Sequence, residues 1–225
     1  MMSTAESSTS AVTVPLPLPT GRRAVLYAVR GIGDATVDEV AEYLGITTSG
    51  ARQHLVALAA DGLVATTELV REQRGRGRPQ LTYHATDLAD AIFPKAYAAL
   101  TNDLLGYLAE ESSDTIDRLF ARRRDDRIAN AQQRLAARRS MGAKVEELAR
   151  ILDEDGYLAT AERIGRDHFR IVEHNCAITA VARRYGQACT SEIDFIRAVL
   201  PDARVERTSH IIEGARHCAY DITRR

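Results

Sequence analysis

Apolar positions recur at helical spacing from Gly21 onward, with Val25, Leu26 and Val29 on one face. GDATVDEVAEYLG continues the pattern. Thr36 followed three residues later by Glu39 is a capping box, Val37, Val40, Ala41 and Leu44 form an apolar stripe, and Gly45 stops the helix. A third helix is predicted in ITTSGARQHLVALAADGLV. Thr47 or Thr48 caps it, Ala51, Leu55 and Leu58 face inward, and Gly62 ends it. The period then changes from 3.6 to 2: LVATTELV and QLTYHAT alternate as strands, with an arginine- and glycine-rich turn between them.

Three longer helices are predicted next. DLADAIFPKAYAALTNDLLGYLAEES puts Ile92, Ala96, Ala99, Leu100 and Leu104 on one side. DTIDRLFARRRDDRIANAQQRLAARRS turns Ile116, Leu119, Phe120, Ile128 and Leu135 inward. GAKVEELARILDEDG carries Val145, Leu148, Ile151 and Leu152 and ends in an Asp-Gly turn. The last third is mixed. YLATAERI and HFRIVEHN read as strands around Gly165, CAITAVARRY and SEIDFIRAVL as short helices, and ARVERTSHII with RHCAYDI as a final hairpin turned at Glu213-Gly214-Ala215.

Two short helices around a tight glycine turn, followed by a hairpin, have the layout of a winged helix-turn-helix. The second helix of the pair is the reading element, with Thr48, Ser49, Arg52 and Gln53 exposed and His54 a further candidate. Hydroxyls and amides suit phosphate oxygens and base edges, and arginine pairs with guanine through two hydrogen bonds. The hairpin tip gathers Arg71, Arg74, Arg76 and Arg78, with Gly75 and Gly77 letting the backbone turn and approach closely. Formal net charge over the 225 residues is only -1, so affinity for nucleic acid must be local, and this tip supplies it where a wing meets the DNA backbone or minor groove. Residues 22 to 93 resemble the winged-helix domains of the ArsR, MarR and DeoR-like bacterial repressors, on the stretches SGARQHLVALAADGLV and GRGRP.

The mixed charges of ARRRDDR read as a solvated helix face laced with ion pairs. The long amphipathic helices are candidate dimer contacts, because a two-fold protein matches a palindromic operator; sequence does not separate a dimer helix from a core helix. The expected organisation is a disordered tail over 1–20, a winged helix over 21–93, a helical dimerisation region over 94–156 and a C-terminal α+β lobe over 157–225. The fold class is mainly α with α+β. No apolar run is long enough to span a membrane, and the start MMSTAESSTSAVTVPLPLPT lacks the features of a signal peptide.

The three cysteines, Cys176, Cys189 and Cys218, all lie late in the chain. An odd number without a C-x-x-C pair points to a reduced, cytoplasmic protein and away from a zinc finger or a disulfide scaffold. Two readings stay open. Cysteine is a small apolar residue that needs no function when buried. Yet Cys176 follows a polar EHN, Cys189 starts a helix and Cys218 adjoins His217, at junctions where backbone N–H groups stabilise thiolates.

With the winged helix, EHNCAITAVARRYGQAC and LPDARVERTSHIIEGARHCAYDI resemble the SufR family, iron–sulfur-cluster-containing repressors of the suf operon for cluster assembly. The resemblance implies a homodimer on a palindromic double-stranded operator and an iron–sulfur cluster, expected as 4Fe-4S, with Cys176, Cys189 and Cys218 as ligands. Many members carry a fourth cysteine after Leu-Pro-Asp, where this chain has Ala203, so residue 203 is expected near the site. For the remaining ligand His210 ranks first, because the last hairpin brings it across from His217 or Cys218, and His174 second, two residues before Cys176; His217 would point to the opposite face from Cys218, and Asp202, water or an outside thiol follow. The alternative is a winged-helix repressor that senses zinc or thiol oxidation through the same cysteines. No nucleophile–base arrangement, phosphate loop or H-E-x-x-H signature suggests an enzyme.

Overall fold

The structure is a computed structural model and describes residues 18–68, 80–112 and 114–225. The chain divides into two compact units, Met1–Pro94 and Lys95–Arg225, and is mainly α with two antiparallel sheets.

The N-terminal unit opens with α1 (Thr20–Ile32), α2 (Val37–Leu44) and α3 (Thr48–Ala60). The capping box predicted at α2 is formed. The Thr36 N–H donates to Glu39 Oε2 at 2.7 Å, and the Glu39 N–H donates to Thr36 Oγ1 at 3.3 Å. Gly45 ends α2 in the left-handed region at φ 65°, where a Cβ would be strained, and so sets the tight turn into α3. Thr47 caps α3 by accepting from the Gly50 N–H at 3.1 Å. Strands β1 (Val64–Glu68) and β2 (Leu81–Ala85) pair antiparallel, Val64 opposite Ala85 and Glu68 opposite Leu81. Ala35, between α1 and α2, adds a bridge to Tyr83 that the sequence pattern did not suggest. Val25, Leu26, Val29, Val40, Leu55 and Leu58 close the core. This three-helix and two-strand arrangement is a winged helix-turn-helix.

The predicted helix from residue 87 does not run through. A short 3₁₀ turn, Asp87–Ala91, is followed by Pro94, and a helix restarts only as α4 (Tyr97–Glu111). Proline lacks the N–H a helix interior needs and pushes the residue before it out of the α region.

In the second unit, α4 leads to α5 (Thr115–Ala136) and α6 (Met141–Leu152), then β3 (Ala159–Arg163), β4 (His168–Glu173), α7 (Thr179–Ala182), α8 (Gln187–Val199), β5 (Ala203–Ser209) and β6 (Cys218–Arg224). The antiparallel sheet has the order β3-β4-β6-β5. Its apolar face packs on α5, α6 and α8 through Leu135, Leu148, Leu152, Phe195, Ile196, Ile171 and Ile222. Helices α5 and α6 therefore share one core with the sheet, and residues 95–225 are one compact unit instead of a helical segment 94–156 beside a lobe 157–225. A smaller cluster of Ile116, Phe120, Ala182, Tyr185 and Ala188 receives Leu105 and Leu108 from α4. Leu100 and Leu104, expected on one apolar side with Ala96 and Ala99, are exposed, as is Leu119. The charged face of α5 is laced with ion pairs, among them Arg134 to the buried Glu147 at 2.7 Å, which Arg138, just past the helix, also meets at 2.6 Å.

Candidate nucleic-acid interface and cysteine pocket

Thr48 and Ser49 occupy the first turn of α3, and both are exposed. Arg52 and Gln53 follow, also exposed, while Ala51, Leu55 and Leu58 hold the helix on the core. The open face is thus Ser49, Arg52, Gln53 and Val56, at i, i+3, i+4 and i+7. Val56 was not singled out from sequence; an exposed β-branched residue in phase with the polar readers is the signal that finds it. His54 turns the other way, its ring 3.1 Å from where a Cβ on Gly21 would stand, and so packs toward α1. Arg71, Arg74, Arg76 and Arg78, the expected wing-tip cations, lie outside the described residues.

In the second unit the three cysteines come together from three different segments. Cys176 stands in the turn after β4, Cys189 in the first turn of α8 and Cys218 at the start of β6. All three line one pocket with Tyr157, Glu173, Glu192, Arg207, His210 and Tyr220. Ile178 and Ile212 close it, leaving a cavity of about 20 Å³, room for about one water.

The polar groups around this cavity are short of partners. Tyr157 Oη, Glu173 Oε1 and both ring nitrogens of His210 make no hydrogen bond although buried. His210 Nδ1 lies 3.2 Å from Glu213 Oε1, close in distance but without hydrogen-bond geometry. Buried polar groups are normally satisfied, so these atoms set the wall of this pocket apart, His210 with both its nitrogens most of all. Glu192 is different, because Arg127 Nη1 donates to its Oε1 at 3.0 Å.

Burial raises the Cys189 thiol above its usual range and lifts that of Cys218 to about 11. The expected thiolate stabilisation at the helix start is outweighed at Cys189 by desolvation. Glu173, desolvated and facing Glu192, is pushed up to about 9. A cationic centre would reverse this balance by pairing with the thiolates. Two donors already orient the site. The Ile211 N–H donates to Cys218 Sγ at 3.4 Å, and Arg207 Nη1 donates to the Cys189 carbonyl at 3.1 Å.

Three thiols and an imidazole are donors suited to iron–sulfur or zinc chemistry. Among the described residues, no group of three His, Cys, Asp or Glu side chains is arranged to hold a single metal ion. One ion gathers its donors at about 2.0–2.3 Å, whereas a cluster offers each cysteine its own iron. By its chemistry the set of three thiols and an imidazole suits either centre, and the cavity of about 20 Å³ between them has room for about one water.

His210 lines the pocket as expected, whereas His174 does not. His174 is exposed, its Nε2 3.4 Å from Thr160 Oγ1 and its ring 6.3 Å from that of His217, and it does not line the pocket. Ala203 is also absent from the pocket and packs in the sheet core. It pairs with Arg224, six residues along β6 from Cys218, so it stands about 20 Å away at the usual strand rise. Asp202, just before it, shares that end of the sheet. Glu173 was missed from sequence. It continues the inward phase of Phe169 and Ile171 along β4, and a carboxylate in an apolar phase is the available signal.

Residues 20–66 match the family described as bacterial regulatory protein, arsR family. The match covers α1 to α3 and most of β1, and the N-terminal unit is a helix-turn-helix domain of this type, of the kind that transcriptional regulators use to bind DNA. No curated protein sequence matches the chain significantly. Among solved structures, the chain is similar to a MarR family transcription regulator, SP03579, at 19% identity and TM-score 0.31, over 47% of this chain and 66% of that one. It is similar to Bacillus subtilis PadR in complex with operator DNA at 17% identity and TM-score 0.28, over 63% and 97% of the two chains. A third likeness is to a trafficking protein particle complex subunit 3 from Naegleria fowleri covalently bound to palmitic acid, at 12% identity and TM-score 0.38, over 57% and 93%. Among the described residues no helix is long and apolar enough to cross a membrane.

Proposed function

We propose that the protein is a cytoplasmic, DNA-binding transcriptional repressor of iron–sulfur cluster assembly genes that carries an iron–sulfur cluster of the 4Fe-4S type. The observation that carries this reading is the convergence of Cys176, Cys189 and Cys218, spread over three segments, on one pocket with unpartnered polar groups. The three cysteines hold the cluster and His210 is the fourth ligand, because both its nitrogens are buried in that wall without a hydrogen bond. The bound cluster supplies a redox- and iron-sensitive centre.

The helix-turn-helix supplies the output. Thr48 and Ser49 meet phosphate, Arg52 and Gln53 read base edges, Val56 packs on a thymine methyl, and the wing-tip arginines add charge. A homodimer places two such units on a palindromic operator. For cluster occupancy to switch repression nearly completely, the loaded protein must favour the DNA-competent conformation by about 10⁴-fold, about 5.5 kcal/mol.

Anaerobic purification followed by iron, sulfide and zinc analysis tests the cofactor. Iron with matching sulfide and absorbance near roughly 400 nm is expected. A colourless protein with stoichiometric zinc would replace this reading with that of a zinc- or thiol-sensing repressor. Loss of DNA affinity on removing the cluster, measured at fixed salt because phosphate contacts are salt-dependent, tests the switch.

A further inference from the structure

The cavity between the three cysteines has one firm side and one slight one. On the firm side Glu173 and Cys218 face each other on the paired strands β4 and β6, and Glu192 is fixed by Arg127. The slight side is apolar, made by Ile178, Ala182 and Ile212. Ile178 is the N-cap of α7 and Ala182 its last residue. A helix of one turn has little stability of its own, and α7 has no side-chain cap among the described residues. Its neighbours hold it. Thr179 donates from its N–H and from Oγ1 to the Cys176 carbonyl, at 3.2 and 2.9 Å, so α7 is built directly on a cysteine of the site.

The other neighbour is α4. Asn102 Nδ2 donates to the Ala180 carbonyl at 3.0 Å, and Tyr185 Oη, just past α7, donates to the Asn102 carbonyl at 3.5 Å. Gly106 admits the side chain of Arg184, for an added Cβ would stand 3.2 Å from its Nη2. Leu105 and Leu108 pack on the cluster that contains Ala182 and Tyr185, and Cys176, Ile178, Cys189 and Ile212 pack on that same cluster. Ala182 therefore has the cysteine cavity on one side and the cluster that receives α4 on the other. A close-packed layer of this kind passes a displacement on instead of absorbing it.

Binding either kind of centre displaces that layer. The cavity has room for about one water, and an iron–sulfur cluster is far larger. A single zinc draws its sulfurs in to about 2.3 Å, an arrangement that no three such side chains have among the described residues. The sheet and the Arg127 pair resist movement, so the single turn of α7 yields first. Helix α4 begins at Tyr97, shortly after the N-terminal unit ends at Pro94, and is the first helix of the chain that leaves the DNA-binding unit.

We propose that α7 is the moving wall of the cysteine site and that Asn102 ties α4 to it, which makes Asn102 the positioning residue through which occupancy of the site reaches the DNA-binding unit. The inference rests on the reading of the protein as a repressor switched by a bound centre, and it holds for a cluster and for zinc. The full chain is compared with and without its centre, at one salt concentration, for binding to a DNA duplex that the loaded wild type selects from a random pool. Wild type should bind it far more tightly when loaded. Asn102→Ala, and Asn102→Asp, which keeps the shape but lacks the N–H donor, should each lower the loaded-to-empty affinity ratio by about fivefold, the net effect of one hydrogen bond. Their far-UV spectra and metal content should stay those of wild type. A merely structural role would weaken both states alike and leave the ratio where it was.

A second measurement needs no variant. Hydrogen exchange of wild type with and without the centre should change together in residues 100–108 and 178–185. Asn102 variants with the wild-type ratio would overturn the tie and leave the switch intact, as would exchange in α4 that does not respond to loading. A wild type whose DNA affinity is the same loaded and empty would overturn the switch and the tie together.

Discussion

Arg127 on α5 is the tie between the helical layer and the acidic floor of the cysteine pocket. It donates from Nη1 to Glu192 on α8 at 3.0 Å and from Nη2 to Asp155 in the turn after α6 at 2.7 Å. Its guanidinium carbon also lies 4.3 Å from the centre of the Phe195 ring. The Arg127 side chain is 13% exposed and that of Glu192 is 6%, so this pair is screened little by solvent. Burial disfavours the Arg127 charge, but the two carboxylates more than restore it and raise its pKa. Arg127→Ala strands Glu192 without its cation. Breaking a buried pair from one side costs about 3–5 kcal/mol. For a unit of this size each kcal/mol is worth roughly 3–5 °C, so the melting temperature of the cluster-free C-terminal unit should fall by about 10–20 °C, read by calorimetry. The double variant Arg127→Met with Glu192→Leu removes both charges and keeps the volume, and it should recover most of the loss. A single variant melting within about 3 °C of wild type would show that the pair is not holding α5 to α8.

Three further outcomes follow from the same geometry. Burial favours the protonated thiol of Cys218, so its contribution to stability is fully present below pH 9 and is lost as pH rises toward about 11; cluster-free wild type should lose stability across that window, and Cys218→Ser should lose less. Replacing Arg52 by Ala should cost about 1–3 kcal/mol at one operator position and relax its sequence preference, whereas replacing Arg74 and Arg76 should weaken all DNA alike and flatten the salt dependence by about one unit per lost phosphate contact; competition binding at two salt concentrations separates them. Ala203→Cys should leave the rate of cluster bleaching under oxygen unchanged, because residue 203 lies at the far end of the sheet from Cys218, while His210→Ala should speed it.

What the sequence disclosed was local. Thr36 with Glu39, the left-handed Gly45 and the change of period after Gly62 each act within a few residues, and each is formed as expected. What it hid depends on which surfaces meet. On α4 the sequence offers leucines around most of the helix. Only the position of the cluster around Phe120 decides that Leu105 and Leu108 turn inward and Leu100 and Leu104 outward.

The fourth ligand shows how far a single residue of register reaches. Arg207 pairs with Tyr220, but the next partner of Ala219 is Ser209, so Thr208 is an extra residue in β5. In a regular ladder Thr208 would face Ala219, Ser209 would face Cys218, and His210 would fall on the opposite face of the sheet. The bulge advances the strand by one residue, and since side chains alternate with period two, every later residue changes face. His210 thereby arrives beside Cys218, and the Ile211 N–H reaches the sulfur at 3.4 Å. No residue type in RVERTSH announces a bulge, because threonine is at home in a regular strand. Deleting Thr208 together with Ser209 is the corresponding test, since deleting Thr208 alone removes the bulge but keeps His210 opposite Cys218. The double deletion should give a regular ladder with His210 opposite Ala219, turn His210 out of the pocket and shorten the lifetime of the bound cluster as much as His210→Ala does, while the C-terminal unit keeps its strand content. A deletion variant whose cluster is as durable as wild type would show that His210 does not act through this register.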